Sequence, residues 1–217
     1  MKHRIIVILT AILSILLISS LTYAKVEYLP KLKDTKTKGT WIDKYGKNGA
    51  ILFAPVDLKD LKDIANYDVG GSQKWNWANP TQDIRGLQYP DDPKQRAGSC
   101  VYDNPVRVIT VETKLTAYQV AIYFCDWDSS VRVEDVVAYQ GNEKPPDKPD
   151  VTINNPEFNA GVYHFWNVTS KDSFKLQITH KGGANWVIGG LFIDALKVPV
   201  EPGGKLATTW GAVRNSD

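Results

Sequence analysis

The stretch Tyr118-Gln-Val-Ala-Ile-Tyr-Phe-Cys-Asp-Trp-Asp-Ser-Ser-Val-Arg132 decides how the chain is read. Val120 to Phe124 is apolar at every position, so neither face of this segment is suited to water. An apolar run this short fits the central strand of a sandwich, buried on both sides. Immediately after it come Asp126, Trp127, Asp128, Ser129 and Ser130, closed by Arg132. A buried strand that ends in acids, an indole and a guanidinium delivers all of them to one edge of a sheet. Such a cluster builds a ligand site or a tied structural corner, and the residues alone support both.

Working outward, the same punctuation recurs from Tyr67 onward: short apolar or alternating runs between Gly, Pro, Asn and Asp clusters. The runs predict strands over 67–69, 74–77, 84–88, 99–102, 106–113, 118–125, 131–139, 162–168, 173–180 and 186–193. Phe174, Leu176 and Ile178 alternate with Lys175, Gln177 and Thr179, which gives one inner and one wet face. Upstream, Ala50 to Ala54 reads as a further strand. Leu58, Leu61 and Ile64 lie three apart behind Asp57, which predicts one or two helical turns with Asp57 as the N-cap. The fold class expected is all-β: a jelly-roll-type antiparallel β-sandwich with few short helical turns.

The N-terminus adds a compartment. Met-Lys-His-Arg4 is followed by an apolar run from Ile5 to Ile18 and a small residue at Ala24, the pattern of a secretory signal peptide over 1–24. Residues 25–38 read as an extended lead-in, 39–196 as the sandwich domain, and 197–217 as a linker and short C-terminal tail. Of the 26 Lys and Arg, two (Lys2 and Arg4) belong to the leader, so the remaining 24 balance the 24 Asp and Glu. A mature chain of this charge has no long-range field to gather nucleic acid or anionic lipid, and neither partner is expected. Cys100 and Cys125 are the only cysteines. In an exported chain they are expected to form a disulfide, closing a loop of about 25 residues and worth about 3 kcal/mol.

Candidate site residues cluster in a few places. Trp127 offers a flat face for a pyranose, and Asp126, Asp128 and Arg132 offer hydrogen bonds to hydroxyls; equally, the acids can cap a turn and pair with Arg132 or Arg85. Asp126 and Asp128 are also oxygen donors suited to a structural Ca2+. Asp83 and Arg85 lie two apart, on one face if the segment is a strand, as an ion pair or a polar contact for a ligand. Trp75 and Trp77 share a face and form a stacking platform or half of an aromatic core. Asn185, in Gly182-Gly-Ala-Asn185, sits at a turn within reach of the sandwich edge. His164 reads as a packed strand residue. No nucleophile is assembled with a base, and no Gly-x-Ser-x-Gly, His-Glu-x-x-His or Gly-x-x-x-x-Gly-Lys motif occurs.

Several segments occur in one order: Gly39-Thr-Trp41 with Tyr45-Gly46, Trp75-Asn-Trp-Ala78, Thr81-Gln-Asp-Ile-Arg-Gly-Leu-Gln88, Gln119 to Ser130, Tyr163-His-Phe-Trp-Asn-Val168, and Gly182 to Phe192. As a set they resemble a domain attached to secreted bacterial glycoside hydrolases and other extracellular proteins. That domain has the galactose-binding-like β-sandwich fold of many carbohydrate-binding modules. The resemblance spans residues 39–192 and implies a secreted, non-catalytic sandwich that binds a glycan or polysaccharide; it carries over no ligand residue. The alternative is an envelope protein that binds another cell-surface protein, with the tail as its attachment segment.

Overall fold

The computed structural model describes residues 25–53 and 58–196. In chain order its strands are β1 (Lys25–Tyr28), β2 (Gly49–Leu52), β3 (Leu58–Asp60), β4 (Ile64–Asp68), β5 (Gln73–Ala78), β6 (Leu87–Gln88), β7 (Arg96–Asp103) and β8 (Val106–Thr113). They continue with β9 (Ala117–Phe124), β10 (Val133–Gln140), β11 (Val151–Ile153), β12 (Val162–Thr169), β13 (Phe174–Gly182), β14 (Trp186–Ile188) and β15 (Gly190–Ala195). A single turn of helix, α1 (Glu157–Ala160), precedes β12.

Three sheets result, with strand orders β1-β12-β9-β15-β2-β3, β11-β10-β13-β8-β4 and β14-β7-β5, and β6 pairs with the edge of β7. Every ladder is antiparallel. The chain is an all-β antiparallel sandwich. Its main core draws Val120, Ile122 and Phe124 of β9 together with Phe174, Leu176 and Ile178 of β13. The intervening residues Ala121 and Tyr123 are buried in a second cluster on the other face of β9, with Trp41, Tyr163 and Phe192. The unbroken apolar run is thus explained: β9 lies between β12 and β15 and is buried on both faces.

Three expectations are corrected. The spacing of Leu58, Leu61 and Ile64 does not form a helix: Leu58 lies in β3, paired with β2, and Ile64 opens β4. The turn between them passes through Lys62 at φ 35°, and three-residue spacing fits a strand, a turn and a strand as well as one helical face. Asp57, the expected N-cap, lies outside the described residues. The segment 84–88 is strand only at Leu87–Gln88, because Asp83 folds the preceding residues into a turn by accepting from the Arg85 N–H at 2.9 Å.

The third correction is the disulfide. Cys100 and Cys125 are both free and buried. Cys100 belongs to the main core, whereas Cys125 follows Phe124 onto the opposite face of the β9 sheet, in the cluster with Tyr123 and Tyr163. The two side chains thus pack into different hydrophobic clusters and stand as separate thiols. Burial raises the Cys125 thiol to about 12 and pushes Cys100 well above the ordinary thiol range.

Within the lead-in, only β1 is extended: it adds an edge strand to β12 in register Lys25 with Thr169 through Tyr28 with Trp166, and Pro30–Leu32 then wind into a 3-10 turn. Tyr28 then meets the buried His164, hydroxyl to Nδ1 at 2.7 Å. The leader 1–24 and the tail 197–217 lie outside the described residues.

Candidate functional site

The connection from β9 to β10 folds into a corner because its second residue is a fully buried acid. Asp126 has no exposed surface and its carboxylate is saturated. It accepts from Ser129 Oγ at 3.0 Å, Asn155 Nδ2 at 3.1 Å and the Arg132 backbone N–H at 3.3 Å, and it pairs with Arg132 Nη1. Its own N–H donates to Phe158 O and its carbonyl accepts from Asn159 Nδ2, so α1 braces the corner from below. A buried carboxylate is tolerated only with such complete pairing. The structural reading therefore applies to Asp126.

Arg132 carries this corner to the next layer. Nη1 is shared between Asp126 and Asp128, the latter at 2.6 Å, and Nε donates to Asn185 Oδ1 at 3.0 Å. The side chain of Arg132 is only 8% exposed, whereas that of Asp128 is 47% exposed. The turn after β13 comes close enough for Asn185 because Gly183, at φ 81°, lies where a Cβ would stand 3.0 Å from Arg132 Cα. Burial alone would raise the Asp128 pKa; the Arg132 hydrogen bond and charge outweigh it and hold the carboxyl below its usual range.

Asp128, Arg132 and Asn185 form the polar side of a cleft of about 280 Å3, whose other walls are Trp75, Trp77, Cys100, Tyr102 and Val187. Strand alternation explains the aromatic side. Trp75 pairs with Cys100, and Tyr102 pairs with both Gln73 and Val187. Residues 75 and 77 on β5, 100 and 102 on β7 and 187 on β14 therefore share one face of the small sheet. Trp75, at 53% exposure, is the one aromatic side chain among the described residues that is mainly open to solvent.

Trp127 is not part of the lining. Its ring stacks on Trp77 with centroids 6.2 Å apart and planes 10° apart, and the Arg85 guanidinium carbon stands 4.6 Å from its ring centroid. A Cβ at Gly98 would fall 2.6 Å from its benzo ring, so only glycine lets the indole lie against β7. Arg85 is fixed in turn by Asp83 at 2.8 Å and by donating to Asn159 O at 3.1 Å. Trp127, Arg85 and Asp83 thus form a backing for Trp77.

Of the residues read as candidates from sequence, Trp75, Trp77, Asp128, Arg132 and Asn185 meet in the cleft. Asp126 lies beneath it, and Trp127, Arg85 and Asp83 lie behind it. Tyr102 and Val187 were not singled out by the sequence. Each looks like ordinary strand content, and only the register of β7 against β5 and β14 places them there. His164 is elsewhere, in a smaller recess with Tyr28, Lys33 and Glu157.

Neither a family model, nor a curated protein, nor a solved structure matches this chain.

Proposed function

We propose that this protein is a non-catalytic carbohydrate-binding sandwich, galactose-binding-like and jelly-roll in character, acting outside the cytoplasm. The observation that supports it is the meeting of an exposed indole, Trp75, with Trp77, Tyr102, Asp128, Arg132 and Asn185 in one cleft. Sugars combine apolar C–H faces with a fringe of hydroxyls. A flat aromatic wall beside fixed donors and acceptors matches both, and the volume is at the small end for small-molecule sites. The Ca2+ alternative has no place in this reading, because Asp126 and Asp128 share the Arg132 guanidinium where a cation would have to sit. The attachment segment of the envelope-protein alternative lies outside the described residues.

Affinity electrophoresis through gels containing plant, algal or bacterial polysaccharides tests the proposal. At least one glycan should retard the folded protein, and Trp75→Ala should reduce the retardation. A folded protein that no glycan retards overturns it.

A further inference from the structure

The charge of the cleft restricts which sugar it can take, on the reading that it takes a sugar. Among its lining residues Arg132 is the only cation and Asp128 the only anion, but Arg132 also serves the buried Asp126. Two carboxylates against one guanidinium leave a formal surplus of one negative charge. Arg132 cannot turn toward an anionic ligand without leaving Asp126 buried and unpaired, which is strongly unfavourable. Its Nε and Nη1 are already committed to Asn185 and the two acids.

Neighbouring charges do not offset the surplus. Asp103, beside Tyr102, is paired with Arg107 at 2.9 Å. Lys74 alternates with Trp75 on β5 and so falls on the opposite face. Glu134, which accepts the Val187 N–H at 2.9 Å, is fully buried and lies outside the lining, so it brings no cation to the cleft. The group presented to a ligand is therefore the half-exposed Asp128 carboxylate, beside indole faces that attract cations.

We infer that the ligand carries a protonated amine: an amino sugar whose ring lies on the Trp75 wall and whose ammonium is held by Asp128. An uronate or sulfated sugar would bring a second negative charge into a site that already has an excess. An N-acetylated sugar would lose the charge that Asp128 recognises.

Calorimetric titration with glucosamine, N-acetylglucosamine and galacturonate oligomers of equal length tests this. Glucosamine oligomers should bind at least about ten-fold more tightly than the acetylated ones, with galacturonate weakest. The advantage should shrink with added salt, since Asp128 is half exposed, and as pH rises past the amine pKa. In Asp128→Asn the ratio of the two affinities should approach one. If that variant does not fold, the salt and pH dependence of the unaltered protein decides the same question. Equal binding of amine and acetylated oligomers, or preference for galacturonate, overturns the amine inference and leaves the glycan reading standing. No binding of these oligomers or of any polysaccharide overturns both.

Discussion

Trp127 lies parallel to Trp77, with ring centroids 6.2 Å apart, and Trp77 alone of the two lines the cleft. The pair divides the labour of the site between a ring that can meet a ligand and a ring that holds it in place. Trp127→Ala should cost about 2–3 kcal/mol, less than a fully buried aromatic because its ring is only partly enclosed. It should also weaken glycan binding through loss of Trp77 order. Trp75→Ala should change stability by no more than about 0.5 kcal/mol, yet weaken binding about ten-fold, equivalent to about 1.4 kcal/mol. Urea unfolding and calorimetry on both variants separate the roles; equal stability losses would contradict the division.

The two acids on Arg132 differ in burial and should differ in consequence. Asp126→Asn leaves the guanidinium without its buried partner and should destabilise the fold by about 3–5 kcal/mol. Asp128 is half exposed, so Asp128→Asn should cost no more than about 1 kcal/mol. Chemical denaturation of the two variants gives the comparison, and a larger loss at Asp128 would show the corner to be misassigned.

His164 should make the fold acid-sensitive. Burial, helped by the Lys33 charge, lowers its pKa to about 4 from an ordinary 6.5, so the unfolded chain binds the proton more readily than the folded one. Stability is then complete above about pH 6.5 and is lost as pH falls from 6.5 toward 4, by up to about 3 kcal/mol. Tm measured across this range should show the slope, and His164→Gln should flatten it. The first contact to loosen should be the Tyr28 hydroxyl, seen as faster amide exchange in β1.

Glu134 has the opposite sign. Burial raises its pKa, so the folded state binds the proton more tightly than the unfolded chain, and its contribution is complete at low pH and declines as pH rises above about 4.5 toward the folded value. Glu134→Gln keeps an acceptor for the Val187 N–H and removes the titration. At pH 8 it should raise Tm by roughly 2–4 °C, about 1 kcal/mol in a domain of this size. A Tm lower than that of the unaltered protein at pH 8 would indicate that Glu134 is ionised in the fold.

The cysteines provide a direct check on the topology. Alkylation in denaturant without reductant, followed by mass spectrometry, should find two modified thiols per chain, and the folded protein should resist alkylation at both. A mass consistent with a Cys100–Cys125 bridge would contradict the two separate buried thiols.

Much of the fold was legible because strand burial leaves a local trace. Val120 to Phe124 is apolar throughout because β9 is covered on both faces, and Phe174, Leu176 and Ile178 alternate because β13 is covered on one. The adjacency of Asp126, Asp128 and Arg132 was equally local, and their pairing followed from it. The helix expected near Leu58 failed because three-residue spacing is shared by a helix and by a strand–turn–strand.

What the sequence determined by itself was therefore the strand content and the residues gathered at the end of β9. Only the tertiary structure decided what each of them does. Trp75 and Trp77, Cys100 and Tyr102, Asp128 and Arg132, and Asn185 and Val187 come from four separate segments, joined by strand register that no local pattern encodes. The same register buries Asp126 and half-exposes Asp128, turns Trp127 into a support for Trp77, and packs Cys125 into a different cluster from Cys100. The physical reason is that a side chain's direction follows from its position along a strand, whereas its neighbours follow from how distant strands align.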